Sequence, residues 1–463
     1  MRTPSSSAMR KNALAAIVLS MLTGPLIAQT TVPSAAVPAA TLPMSMAPVT
    51  NTVVAAAQAA GPAFSGGDTA WMLVCTVLVM LMTIPGIMLF YSGMMRAKNA
   101  LSVVAHVFAA TAVVTLVWAA VGYSLAFTVG NPWIGDMSRL WSEGLIGAAV
   151  KAHPSAPTVP ESAFFLFQLA FAIISFALVI GATVERMRLS ATIFFAGLWT
   201  ILVYAPIAHW IWEPSGWLSA MGHMDFAGGT VVHIAAGASG LVAAKVIGPR
   251  AGFGTQPMVP HNLLITVLGA GLLWAGWFGF NAGSAFEASS RAVGALLATQ
   301  VAACVGAFVW GMCEYTQRGK FGVLGMATGA IAGLIAVTPA SGYVGVLGAS
   351  VIGFAAAIGC YLAVTRFKSW TNIDDSLDVF ALHWVGGFIG TVLTPVMALK
   401  AIAPITSTFM TNLTGALAVS LYAGGMTYVV LMIVKPIAGL RVTAKEEEIG
   451  LDLAQHGEMI GHP

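Results

Sequence analysis

After Asp68 the chain alternates long apolar stretches with short breaks that carry charge, proline or glycine. Eleven of these stretches reach the length of about 20 residues that an α-helix needs to cross a hydrocarbon core. The predicted spans are 69–94, 101–127, 162–184, 189–212, 226–247, 262–280, 292–315, 321–338, 342–365, 378–398 and 411–436. The pattern predicts an all-α polytopic membrane protein with a membrane domain over 68–436 and a polar C-terminal tail over 437–463.

Composition supports the same class. Of the 463 residues, 58% are hydrophobic and 8% charged, and the mean hydropathy is +0.86. A soluble domain carries about a quarter of its residues as charges, so this chain cannot build a water-facing surface. The formal net charge of +3 conceals an asymmetry. Arg96, Lys98, Arg186, Arg188, Lys245, Arg250, Arg318, Lys320, Arg366, Lys368, Lys435, Arg441 and Lys445 fall on one side of the eleven spans, and Arg139, Lys151, Arg291 and Lys400 on the other. By the positive-inside rule the first group is cytoplasmic, which places the N-terminus outside and the C-terminus inside. The N-terminal sequence agrees: Arg10 and Lys11 precede an apolar run from Ala13 to Leu22, with small Ala28 as a cleavage point, so residues 1–28 read as a signal peptide. An Ala/Pro-rich extracytoplasmic linker is expected over 29–67.

Two segments share one spacing, Asp225…His233…Gly237…Gly240 and Asp375…His383…Gly387…Gly390. A histidine inside an apolar span needs a reason to be there. At about 1.5 Å rise per residue, eight residues carry each imidazole roughly 12 Å from its aspartate, near the middle of a core about 30 Å thick. Asp225 opens the fifth span from one face and Asp375 the tenth from the other, so the segments converge. This is the arrangement of an inverted repeat of five plus five helices, with the eleventh outside it and a binding site where the repeats meet. Glycines on the histidine face allow the two helices to cross closely. Two neutral imidazoles in contact offer both donors and acceptors to a small polar molecule, or relay a proton. From spacing alone, two unrelated core histidines bonded to backbone carbonyls remain an alternative.

Other chemistry is sparse. Cys75, Cys304, Cys313 and Cys360 lie within predicted spans at no metal-binding spacing. There is no phosphate loop and no nucleotide fingerprint, so direct ATP-driven pumping has no support. No metal, no cofactor and no enzymatic activity are expected.

The stretches PGIMLFYSGMMRAKN from Pro85, FQLAFAIISFALVIGATVERMR from Phe167, YAPIAHWIW from Tyr204, DFAGGTVVHIAAGASGLV from Asp225, WFGFNAGSA from Trp277, AVTPASGYVG from Ala336, DDSLDVFALHWVGGFIG from Asp374 and GLDLAQHGE from Gly450 closely resemble the ammonium transporter (Amt/Mep/Rh) family, in its bacterial Amt branch. The resemblance runs from Asp68 to Glu458. It implies an outer ammonium site at Phe171, Trp212 and Ser284 with Asp225 as support, a gate of stacked Phe171 and Phe280 below it, and twin pore histidines at His233 and His383. An ammonium ion losing its water can be held by aromatic faces and a hydroxyl, with cation–π attraction of about 2 kcal/mol when desolvated. Trp277, near the outer end of its span, is expected in the aromatic belt at the membrane surface.

The function this implies is ammonium uptake across the cell inner membrane. Ammonium would lose its proton at the outer site, ammonia would pass the gate and the histidines, and the proton would follow separately, making transport electrogenic. The resemblance also implies a homotrimer in contact with membrane lipid, and a PII-type regulatory protein at the cytoplasmic face, where the tail takes part in regulation. Two other functions stand beside it. One is an ammonium sensor, against which the short polar tail counts; the other is an electroneutral gas channel for ammonia or carbon dioxide, which would pass no current.

Overall fold

The structure is a computed structural model that describes residues 64–147, 150–402 and 407–460. The signal-peptide segment and the linker up to residue 63 lie outside the described residues. Ten helices are long and apolar enough to span: α1 (Gly66–Met94), α2 (Ala97–Phe127), α3 (Glu161–Ile180), α4 (Leu189–Ala220), α5 (Gly229–Ile247), α6 (Leu263–Gly283), α7 (Ser290–Arg318), α9 (Val346–Thr371), α10 (Phe380–Met397) and α11 (Phe409–Ala438). Between α7 and α9 lies the shorter apolar helix α8 (Val323–Val337). A short helix of the tail, α12 (Ala444–Ile449), follows. The described residues contain no β-strand beyond three isolated bridges.

The eleven predicted spans thus correspond one to one with α1–α11, and the differences are at the ends. Helix α1 begins at Gly66 because the Ser65 side chain caps it, accepting from the Asp68 N–H at 3.1 Å. Helix α5 begins at Gly229, not at residue 226, because Asp225 and the residues after it form a tight loop. Gly228 turns that loop with φ +109°, a backbone conformation that a side chain resists.

One face gathers the basic loops. There Arg96, between α1 and α2, pairs with Glu185, between α3 and α4, at 2.7 Å. Arg250, after α5, reaches Glu185 at 3.3 Å and Asp374, before α10, at 2.8 Å. Arg250 also donates its main-chain N–H to Asp374 Oδ2 at 2.8 Å. Four loops are thereby tied together by buried charges whose lone pairs are also filled. The tail is fastened to the same face. Asp452 accepts from the N–H groups of Leu101 and Ser102 at 3.0 and 2.7 Å, capping the first turns of α2, and the Leu451 N–H donates to Asn99 Oδ1 at 2.8 Å.

Helices α5 and α10 run inward from opposite faces, as the repeat predicts. Gly237 sits at their crossing: a Cβ there would overlap the Trp384 main chain and lie 2.6 Å from the Trp384 Cβ. Gly387 is also confined: a Cβ there would lie 2.8 Å from the Gly229 carbonyl oxygen and 3.1 Å from the His233 Cβ. Gly240 packs on Val379, just before α10, whereas Gly390 packs on Ala336 of α8. Three of the four paired glycines therefore serve the crossing of the two spans.

Burial alone would raise the carboxyl groups of Glu185 and Asp374, but the arginine hydrogen bonds and charges override it and hold both below their ordinary values of 4.5 and 3.8. A lowered value means that the ionised form is favoured in the folded state. The resulting stability is present above the ordinary carboxylate range and is lost as pH falls through the lowered values. Asp374→Asn removes the nearer of the two carboxylates that face the buried Arg250, leaving Glu185 at 3.3 Å, and is expected to cost about 3 kcal/mol. Thermal melting of purified protein should show a lower midpoint for the variant at pH 7 and a smaller difference from the unsubstituted protein under strong acid.

Candidate functional site

On the face opposite the basic one, the ends of α2, α3, α4 and α6 and the loop before α5 enclose a funnel with about 310 Å³ of empty space. Its wall includes Phe171, Trp212 and Ser284, together with Gln168, Phe164 and Phe226. Each sequence-predicted residue has a definite hold. The Trp212 indole donates to the Asp225 carbonyl oxygen at 2.9 Å, which fixes its ring edge-on to Phe171 at 5.7 Å between centroids. Ser284 closes the C-terminus of α6 and donates its hydroxyl proton to the Phe280 carbonyl oxygen at 2.9 Å. That donation leaves the Ser284 lone pairs as acceptors.

The Asp225 carboxylate is engaged by the backbone that follows it. Its Oδ1 accepts from the N–H groups of Gly228 and Gly229 at 2.8 and 2.7 Å, and its Oδ2 from Thr230 and Val231 at 2.8 and 3.0 Å. Four otherwise orphaned donors at the start of a buried helix are satisfied by one carboxylate. These four bonds hold the loop that opens α5.

Below the funnel the rings of Phe171 and Phe280 stack at 4.1 Å between centroids and 29° between planes, both fully buried. Beyond them His233 continues the stack, 6.1 Å from Phe280. His233 and His383 face each other with ring centroids 5.3 Å apart and 3.1 Å between their Nδ1 atoms. Such a contact needs one Nδ1 protonated and the other bare. The two neutral rings therefore take opposite tautomers, and one Nε2 is a donor while the other is an acceptor. His233 Nε2 is buried without a protein partner. A second space, about 430 Å³, continues from the histidines toward the basic face, lined by Tyr91, Leu273, Ile331 and Leu382 among others.

Both histidines lie in single π-helical turns, Gly229–Ile234 and Phe380–Trp384. The wider turn shifts the ring off the position a regular α-helix would give it. No apolar periodicity reveals that.

Two residues depart from the sequence reading or escape it. Trp277 is not at the membrane surface: it is buried, its ring stacks on His233 at 5.4 Å and 22°, and its indole donates to Thr338 Oγ1 at 2.9 Å. Its place near a helix end misled, because the helix end is itself inside the bundle. Gln168 was missed. It lies one turn before Phe171 on the same face of α3, and its buried Oε1 has no protein partner at the funnel wall. A polar residue in the apolar run FLFQLAF was the available signal. Among the described residues no group of three or more His, Cys, Asp or Glu could hold a metal.

Asp225→Ala leaves four buried N–H groups without an acceptor, and the expected cost is about 3 kcal/mol or more. Thermal melting should show a large drop.

The whole membrane domain matches known proteins. The model of the Ammonium Transporter Family matches residues 70–460. A putative ammonium transporter of Methanothermobacter thermautotrophicus is 42% identical over 408 residues, covering 85% of this chain and 98% of that one. An ammonium transporter of Bacillus subtilis is 41% identical over 401 residues, with 85% and 98% covered. Among solved structures, Mep2 of Saccharomyces cerevisiae superposes with a TM-score of 0.76 at 36% identity over 83% of this chain and 89% of that one. A structure titled Sensor Amt Protein does so with a TM-score of 0.78 at 29% identity over 84% and 98%. With its funnel, stacked phenylalanines and paired histidines inside one match of nearly 400 residues, the chain belongs to the ammonium transporter family.

Proposed function

We propose that this protein takes ammonium into the cell across the cytoplasmic membrane, with the basic face and the tail cytoplasmic and the funnel outside. The observation that carries the reading is the stacked Phe171–Phe280 plug, which lies between acceptors suited to an N–H cation and a histidine pair suited to a neutral molecule. In the funnel, the Ser284 lone pairs and the aromatic faces of Phe171 and Trp212 replace water around the ion. Potassium has a similar size and charge but no N–H protons to donate to Ser284. An intact cation crossing the plug would cost several kcal/mol, whereas ammonia crosses far more cheaply. The ion therefore gives up its proton before the plug.

Beyond it, ammonia finds one donor and one acceptor on the imidazole pair, and the pair swaps tautomers when one Nε2 takes up a proton, the shared proton crosses between the Nδ1 atoms and the other Nε2 releases its own. Proton passage through this pair would make transport electrogenic. Since the Asp225 lone pairs are occupied by backbone N–H groups, water in the funnel is a better first proton acceptor than Asp225. A homotrimer with a pore in each subunit, and a PII-type regulator meeting the cytoplasmic face, complete the reading.

Sensing is the second reading, favoured by the likeness to the structure titled Sensor Amt Protein. Purified protein in liposomes on a solid-supported membrane distinguishes the two. An ammonium pulse should evoke a protein-dependent current, with potassium and protein-free liposomes giving none. No current, together with no ammonia flux into the liposomes, would leave sensing; flux without current would leave a neutral gas channel. Replacing both His233 and His383 by Leu should lower the preference for ammonium over potassium by about tenfold or more, because the polar path for a separate proton is gone. Unchanged currents and selectivity in that folded double variant would sink the mechanism.

A further inference from the structure

Behind the funnel wall a fixed positive charge rests on the aromatic side chains. Arg291, in the first turn of α7, places its guanidinium carbon 5.1 Å from the centroid of the Phe226 ring and 4.8 Å from that of Tyr343. The two rings meet edge to face at 5.5 Å and 76°. Arg291 Nε donates to the Gly342 carbonyl oxygen at 3.2 Å. Gly342 lies directly against the Phe226 ring, where a Cβ would overlap it. Arg291, Phe226, Gly342 and Tyr343 therefore form one packed unit, and Phe226 is also part of the funnel wall. Among the described residues no carboxylate lies within ion-pair distance of Arg291.

Resting on the ammonium reading above, we propose that Arg291 sets the affinity of the outer site, weakening the recruitment of ammonium through its charge. Three features combine. A funnel that recruits a cation from water depends on aromatic faces and on a field that does not repel it. At Phe226 an internal cation already draws on the ring's electrons. The partners of the guanidinium are two π-systems and a carbonyl, none of which carries a neutralising charge. The nearest acid in sequence to that ring, Asp225, has both oxygens engaged by four backbone N–H groups. Arg291 does not line the funnel, so it acts through Phe226 and through space as a positioning residue. The consequence is a transporter tuned to higher ammonium concentrations than its aromatic site alone would give.

The test compares the unsubstituted protein with Arg291→Gln, Arg291→Met and Arg291→Lys in two measurements. One is the ammonium concentration for half-maximal current in proteoliposomes. The other is the concentration for half-maximal thermal stabilisation of purified protein by ammonium, which reads binding without flux. Arg291→Gln and Arg291→Met should lower both concentrations by about three- to tenfold at low ionic strength, where a nearby unit charge is least screened. Added choline chloride should narrow the gap, and Arg291→Lys, which keeps the charge, should stay close to the unsubstituted protein. Arg291→Met retains the alkyl stem against both rings and serves if the glutamine variant does not fold. Half-saturation unchanged in a folded neutral variant overturns the proposal. So does an equal shift in Arg291→Lys, which would make the contribution one of packing. If the unsubstituted protein responds to ammonium in both measurements while the variants match it, the transport reading stands and this inference alone fails. If the unsubstituted protein responds in neither, both fall together.

Discussion

One carboxylate supports the geometry of the site. A helix that starts inside a dry bundle exposes its first N–H groups where no water can reach them, and each unsatisfied donor costs free energy. Asp225 accepts four of them. Its own carbonyl oxygen is used as well, since it holds the Trp212 indole. The loop is further pinned where the Phe226 N–H donates to the Pro339 carbonyl oxygen at 3.0 Å. The same short segment thus fixes the start of α5, the aromatic wall of the funnel and the height of His233 in the bundle. Any change that loosens it moves the funnel wall and the histidine pair together.

The second half repeats the device from the basic face with less saturation. Asp375 Oδ2 accepts from the Phe380 N–H at 2.7 Å, while its buried Oδ1 has no protein partner. Burial, and then the neighbouring Asp378, push the Asp375 carboxyl up to about 6. Asp374 beside it is held down by Arg250, so adjacent residues are driven in opposite directions by what each touches. The two halves share a plan of aspartate, wide turn and histidine, yet differ in how firmly the aspartate is engaged.

Hydrophobic length and charge asymmetry made the eleven helices legible, because a hydrocarbon layer imposes span length and loop charge directly on sequence. The D-x7-H repeat made the histidine pair legible for the same reason: a polar group in an apolar span stands out. What escaped depends on side-chain direction. Two π-helical turns rotate His233 and His383 toward each other. The indole of Trp277 lies under the histidine stack although its position reads as a surface tryptophan. Arg291 read as one of four outward charges, and only the fold sets it over Phe226 and Tyr343. Gln168 shows the limit most plainly, since one amide in an apolar run does not say which way its oxygen points.

Under the proposed function, the order of layers along the path is what would give the site its selectivity. A cation is favoured where acceptors and π-faces face water, and is disfavoured where two phenyl rings leave no polar atom to replace its shell. A neutral amine has the opposite balance: it gains little in the funnel and loses little at the plug. Beyond the plug the histidines offer one donor and one acceptor, the complement of a molecule that has both N–H groups and a lone pair. Because the rings are joined through Nδ1, a proton taken up at the bare Nε2 would be matched by passage of the shared proton to the other ring and release of that ring's Nε2 proton, after which the Nε2 roles have exchanged. A single imidazole would hold one fixed role at that depth. Two joined imidazoles could pass a proton and end as two neutral rings in exchanged tautomers, with no charge left in the apolar core, and under the proposed function that is what a second histidine from the opposite face would add.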